Sequence, residues 1–412
     1  MVSGFDPQRV RQDFPVLMQT LPKGLPLVYL DSAASAQKPR QVLDKEREVY
    51  ETYYANAYRG VHRLGARVDD EMEAARRKVQ QWIGAGLPEE VIFTAGTTMA
   101  INIVAAGWGR RHLRPGDEIL LNVMEHHANL VPWQEIARQT GATCRYAPLT
   151  GDGRLDLDQL EGCLSKRTRM VAVTGMSNVL GTRNPVREIV ERAHRHGALV
   201  LVDGAQSVPH ARTNVVEIGA DFLAFSSHKL YGPSGVGVLY GRQELLRDLD
   251  PLLFGGHMIA TVTCQGSTWA EPPAKFEAGT PPIAQAIGLG AAVDYLAALD
   301  WEAVHDHESR LVHAAFERLP EIPGLRIHGP PPAERGGIIG FTIEGAHPED
   351  LAQLLDRRGV CVRHGHHCTM PLHESLGVSA TVRASFGLYN TLQDIDYLVE
   401  SLHFALHKLR LE

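Results

Sequence analysis

A lysine, an acid, a turn of small hydroxyl residues and a cysteine carry the chemistry in this sequence. Ser226-Ser227-His228-Lys229 follows the apolar run Phe222 to Phe225 and precedes the glycine-rich Ser234-Gly235-Val236-Gly237. A lysine at a strand end, beside a histidine and a hydroxyl, is open to desolvation, which favours the neutral amine that forms a Schiff base. Taken alone it also reads as a surface lysine in a turn, since lysine is seldom buried. Asp203, in Val202-Asp203-Gly204-Ala205-Gln206, closes a strongly apolar run. At the C-terminal end of a parallel strand it would face the ligand crevice and could pair with a protonated pyridine nitrogen. A helix N-cap is the plainer alternative. Ala95-Gly96-Thr97-Thr98 stands between the run Val91-Ile92-Phe93 and a helical pattern from Met99 to Gly107. Small and hydroxyl residues at a helix start bind phosphate, or simply cap the helix.

The last feature is Val362-Arg363-His364-Gly365-His366-His367-Cys368. Three histidines and a cysteine suggest zinc, but adjacent His366 and His367 cannot easily both join Cys368 around one tetrahedral ion, and no second ligand pair stands nearby. A buried, inert cysteine is another reading. A reactive thiolate on a glycine-containing loop fits better, with Arg363 lowering its pKa.

These residues need elements to hold them. Between about Val91 and Tyr240, short apolar runs such as Glu118 to Leu121, Met170 to Val173 and Ala198 to Val202 alternate with amphipathic stretches such as Pro185 to His196. That alternation predicts an α/β fold with a mainly parallel central sheet covered by helices. Gly197 stands where a helix C-terminal glycine belongs. After Pro281 the pattern changes: an Ala-rich helix from Ile283 to Leu299, a Pro/Gly loop at His328 to Pro332, a strand from Gly337 to Ile343 and a helix from His347 to Arg358 predict a smaller C-terminal α/β unit. The boundary is expected near residue 297.

The chain of 412 residues suits two such units, and its 44% hydrophobic and 22% charged residues are ordinary for a soluble protein. A net charge of -7 without basic clustering argues against nucleic-acid binding. No stretch approaches the roughly 20 apolar residues of a membrane span, and the start lacks a signal-peptide pattern. Five cysteines, an odd number at scattered spacings, argue against a disulfide framework. A cytoplasmic, reduced protein is the expectation.

The ordered set of motifs resembles the class-V aminotransferase-like, fold-type-I enzymes of pyridoxal 5′-phosphate (PLP), and within them the group II, SufS-like cysteine desulfurases of the SUF iron–sulfur assembly system. The motifs are Tyr29-Leu30-Asp31-Ser32-Ala33-Ala34-Ser35, Met124-Glu125-His126-His127-Ala128-Asn129, Ser177-Asn178-Val179-Leu180-Gly181, Asp203 to Gln206, His228 to Pro233, Phe276 to Pro281 and Arg383-Ala384-Ser385. The resemblance implies a Schiff base on Lys229, His126 stacked on the ring, and Asp203 and Gln206 on its nitrogen and oxygen. Thr98, Ser226 and His228 would hold the phosphate, joined by Thr280 from the partner of a homodimer, with Thr97 adjacent. Arg383 would clamp the substrate carboxylate with Asn178, while Arg363, Arg59 and His62 complete the substrate side. It further implies that L-cysteine becomes L-alanine as Cys368 takes the sulfur as a persulfide. It divides the chain into an N-terminal segment (1–25) that joins the small domain, a large PLP domain (26–297) and a small domain (298–412) with the cysteine loop.

Three departures stand out: Ser227 where glycine is frequent, His364 where a small residue or threonine is, and Pro282 to Gln285 after Thr280-Pro281. L-Selenocysteine is an alternative substrate on the same scaffold, kynureninase-like chemistry is disfavoured by the cysteine loop, and a non-catalytic sulfur carrier by the joint presence of Lys229, Asp203 and Cys368. Among sulfur acceptors, a SufE-like thiol protein is expected over a zinc-bound SufU-like one. Zinc-dependent pairs resemble this chain around His347-Pro348-Glu349-Asp350 but carry histidine where Glu349 stands, and a carboxylate is less suited than imidazole to a thiolate-rich zinc site.

Overall fold

Period-two alternation in the central strands is two-sided. Val91 and Phe93 enter one apolar core while Ile92 enters another; Leu223 and Phe225 part in the same way from Phe222 and Ala224. Both faces are therefore dry, which is why these strands read as unbroken apolar runs. The computed structural model describes residues 5–58 and 60–411. Its main sheet contains β1 (Val91–Thr94), β2 (Glu118–Asn122), β3 (Thr143–Ala147), β4 (Thr168–Thr174), β5 (Leu199–Asp203), β6 (Phe222–Ser226) and β7 (Gly237–Gly241). The spatial order is β1-β7-β6-β5-β4-β2-β3. Only β7 runs against the rest, pairing antiparallel with β1 and β6. The C-terminal ends of β1, β2, β4, β5 and β6 consequently share one edge. An exposed antiparallel hairpin follows, β8 (Ile259–Thr263) and β9 (Gly266–Trp269).

Helices cover both faces. α1 (Arg63–Trp82) and α4 (Ile283–Ala297) lie on one, and α2 (Thr97–His112) on the other. The interval expected to be helical from Pro185 to His196 is α3 (Val186–Arg195). α4 is buried almost all round, and its Gly290 packs where an added Cβ would stand 2.8 Å from the Ala75 side chain of α1. The Ala-rich composition thus serves close helix packing. No single helix among the described residues is long and apolar enough to cross a membrane.

A second sheet is antiparallel, in the order β10 (Leu325–His328), β11 (Ile338–Ile343), β13 (Thr381–Ser385), β12 (Arg363–Gly365). α5 (Trp301–Arg318), α6 (Pro348–Asp356) and α8 (Leu392–Leu409) bury it in a separate apolar cluster with Ile339, Phe341 and Ile343. Between β12 and β13 lies α7 (Met370–Leu376). The chain's beginning reaches this unit: Phe5 packs at a tilt against the His307 ring and Arg11 pairs with Asp394 at 3.4 Å. Val28–Tyr29 runs parallel to Val360–Cys361, and Asp31 bridges to Ser385.

One buried ion pair fastens α1 to β1. Arg76 grips Glu277 with two nitrogens at 2.8 and 3.0 Å and donates to the Val91 carbonyl. Glu277 also accepts from Phe93 N and from the Tyr58 hydroxyl. Both charged side chains are essentially inaccessible. Glu277→Ala strands a buried guanidinium and should cost about 3–5 kcal/mol, measured as a fall in the urea midpoint.

Candidate active site

Desolvation sets the character of the shared strand edge. A cavity of about 280 Å³ opens there, lined by Thr97 and Thr98 beyond β1, His126 beyond β2, Asn178 beyond β4, Asp203 and Gln206 from β5, and Ser226, His228 and Lys229 from β6. Arg363, Cys368 and Arg383 close it from the second sheet. Residues as far apart in sequence as Thr97 and Arg383 thus meet because each stands at the end of a strand or in the loop facing it.

Lys229 lies in a single helical turn, Ser227–Lys229, directly after β6. Burial pushes its ammonium down to about 8, against the pull of Asp203. Asp203 is itself buried, which raises its carboxyl, and its Oδ1 accepts from Ala205 N at 2.9 Å. Burial and the nearby Lys229 hold His126 down to about 4, so its ring is neutral at pH 7. Its Nδ1 accepts from Ala128 N, which places the ring proton on Nε2. Below it Glu125 is fully buried and accepts from Asn122, Asn129 and Thr174 N, fixing the loop that carries His126.

The phosphate-type cradle is also present. Gly96, at φ +146°, lets the start of α2 approach Ser226; a Cβ there would lie 3.3 Å from Ser226 Oγ. Ser226 Oγ accepts from Thr97 N at 2.8 Å and pairs with Thr97 Oγ1 at 2.7 Å. Thr97 is therefore spent on Ser226, while Thr98 faces the cavity. Gln206 donates one amide hydrogen to Ala33 O and keeps a second. A lysine whose proton is loosened by burial, a buried acid and a helix N-terminus with hydroxyls suit a pyridine aldehyde carrying a phosphate.

On the opposite wall, Arg383 is buried, and burial lowers its guanidinium to about 10. It donates to Asn178 O at 3.0 Å and to Asp31 at 3.2 Å, and its Nε is buried without a hydrogen-bond partner among the described residues. Arg363 forks onto Asp31 at 2.8 to 3.1 Å. The positive charge expected beside Cys368 is thus already paired with a carboxylate. The sequence drew no attention to Asp31, although Tyr29 to Ser35 was singled out as a motif.

Cys368 is exposed, on a loop in which Gly365, His367 and Cys368 all have positive φ, at +110°, +48° and +58°. Two successive left-handed non-glycine residues cost roughly 1–3 kcal/mol each and need external support. His127 N donates to Cys368 O at 2.8 Å, and His127 Nε2 accepts from Met370 N. Asn178 Nδ2 donates to His367 O, while the His367 ring pairs with Thr381. One of the two N-terminal residues expected on the substrate side is described. His62 caps α1 by accepting from Gly65 N and does not line the cavity, and Arg59 lies outside the described residues. Thr280 is exposed and also off the cavity wall. Of the departures, Ser227 keeps its hydroxyl buried without a hydrogen-bond partner among the described residues, His364 is exposed, and Gln285 reaches Tyr50.

The family model described as aminotransferase class-V matches residues 28–398. A probable cysteine desulfurase of Halalkalibacterium halodurans is 51% identical, over 95% of this chain and 96% of its own. The cysteine desulfurase of Dickeya dadantii is also 51% identical, with 97% of each chain covered. Among solved structures, the Escherichia coli cysteine desulfurase CsdA superposes with a TM-score of 0.91 at 40% identity, over 98% of this chain and 99% of its own.

The buried amine makes stability depend on pH in the cofactor-free protein. Lys229 releases its proton near 8 when folded but near its ordinary 10.5 when unfolded. Between those values the unfolded chain holds more protons, so stability rises with pH across the window. Lys229→Met should accordingly stabilise the cofactor-free protein below pH 8, and the advantage should shrink towards pH 10.5 in urea titrations.

Proposed function

The chain belongs to the class-V aminotransferase family, and we propose that it is a PLP-dependent cysteine desulfurase of the group II, SufS-like kind that supplies sulfur for iron–sulfur cluster assembly. The observation that carries this is the convergence of Lys229, Asp203, Arg383 and Cys368 on one cavity. Lys229 holds the cofactor covalently, with Asp203, Gln206, His126, Thr98, Ser226 and His228 around it. When bound, PLP supplies an electron sink for carbanion chemistry at the substrate α-carbon.

The chain's own residues do the rest. Arg383 presents a rigid fork to the carboxylate of L-cysteine. Lys229, poised near 8 by burial, moves a proton at the α-carbon. His126 stays neutral and donates only through Nε2. The Cys368 thiolate attacks the substrate sulfur: an S–S bond forms as the substrate Cβ–S bond breaks, the bonding pair passes to Cβ, which takes up a proton, and the alanine skeleton and a persulfide on Cys368 remain. The supported loop places that thiol against the same cavity, which is a gain in proximity.

In this proposal residues 1–25 accompany the small domain (298–412), the large domain spans 26–297, and the working unit is a cytoplasmic homodimer. Thr280, exposed beyond the cavity, would serve the partner's cofactor, with Arg59 and His62 on the rim. The test is alanine and sulfide production from L-cysteine, with and without a thiol acceptor. Cys368→Ala should keep the cofactor absorbance band and lose the persulfide; undiminished sulfide release by that variant would remove Cys368 from the reaction.

A SufE-like acceptor is favoured over a zinc-bound SufU-like one. His347 is committed as the N-cap of α6, accepting from Glu349 N at 3.3 Å, and Glu349 is an exposed carboxylate in the first turn. The carboxylate therefore stands where zinc-dependent pairs carry an imidazole, and the Nδ1 of the neighbouring His347 is taken up by the cap. Alanine formation should rise with a SufE-like acceptor and not with a zinc-containing one, and Glu349→His should gain response to the latter.

A further inference from the structure

Arg363 on β12 and Arg383 on β13 stand opposite each other in register across an antiparallel pair. Directly opposed like charges repel, and here one of them is fully buried. A single carboxylate resolves the conflict. Asp31 takes Nε and Nη2 of Arg363 at 2.8 to 3.1 Å and Nη2 of Arg383 at 3.2 Å. Asp31 does not line the cavity; it stands behind both guanidiniums. Its own backbone is tied down: it bridges to Ser385, while Leu30 O accepts from Ser385 N and Ala33 N donates to Ser385 Oγ.

We propose that Asp31 is the positioning residue of the substrate clamp, holding the two arginines in one orientation and leaving that pair with a single unmatched positive charge for one substrate carboxylate. The inference rests on the amino-acid desulfurase reading, because it assigns that remaining charge to an α-carboxylate. The charge count is simple. Two guanidiniums and one carboxylate leave one positive charge, which one bound carboxylate neutralises. Asparagine in place of Asp31 has a single acceptor oxygen and no charge, so it can satisfy one fork only. The opposed arginines would then part, and the pre-oriented grip on substrate would be lost while both charges remained beside Cys368.

The holoenzyme variants Asp31→Asn and Asp31→Glu test this, with the cofactor absorbance band as the check on folding. Asp31→Asn should raise KM for L-cysteine about tenfold or more while kcat stays within about threefold, as expected when orientation for binding is lost rather than the chemical step. A second measurement does not require turnover: the pH profile of iodoacetamide alkylation at the Cys368 peptide, followed by mass spectrometry. Two uncompensated guanidiniums should move it to lower pH in Asp31→Asn, and Asp31→Glu should move it back. A merely structural role would not shift the thiol in that direction. If KM stays within about twofold of wild type, or the alkylation profile does not move, the proposal is overturned. If the wild type itself makes no alanine from cysteine, it is the desulfurase reading that fails, and the alkylation profile still reports on Asp31.

Discussion

Taking the Lys229 amine out of water is the constraint on which the rest of the structure depends. An amine held near 8 instead of 10.5 requires a dry floor, and the floor is a sheet buried on both faces. Only parallel strands bring five chain ends to one edge without crossing loops. The antiparallel β7 completes that floor beside β6, filling the core without contributing a cavity residue. Desolvation also explains why neighbouring groups are neutral: His126 and His228 are both pushed down to about 4. The cavity therefore combines groups ready to exchange protons with arginines that cannot.

The second unit contributes what the first sheet lacks, namely fixed positive charge and a thiol. Its docking is polar as well as apolar. Asn178 reaches across to His367 and receives Arg383, and Arg183 with His210 engages Glu308 of α5. The beginning of the chain stitches the two together, since Phe14 packs on Tyr231 and Tyr295 as well as on Tyr389. Relative placement of thiol and amine is thus set by many small contacts rather than by one hinge.

Local signals carried the strands and the Lys229, Asp203 and cysteine-loop positions, because two-sided burial writes continuous apolar runs and each functional residue follows one. The strand expected at Gly337 to Ile343 begins a residue later, an ordinary end effect. What stayed hidden was non-local. Nothing near Arg363 in sequence shows that Asp31, 332 positions away, holds it. Thr97 and Thr98 look alike in sequence, yet pairing with Ser226 turns one inward. The resemblance places His62 on the substrate side, but its ring meets a more immediate demand, the free N–H groups at the start of α1.

The bonded loop around Cys368 has a consequence for how sulfur leaves. With His367 and Cys368 in left-handed conformations and their carbonyls tied to Asn178 and His127, the backbone has no slack to act as a swinging arm. A sulfur atom carried there stays where it was taken, within one side chain's reach. Handover then becomes a matter of the visitor's shape: the receiving protein must push its own nucleophile down to the mouth of the cavity, and selectivity for that visitor is exercised at the doorway rather than along a tether.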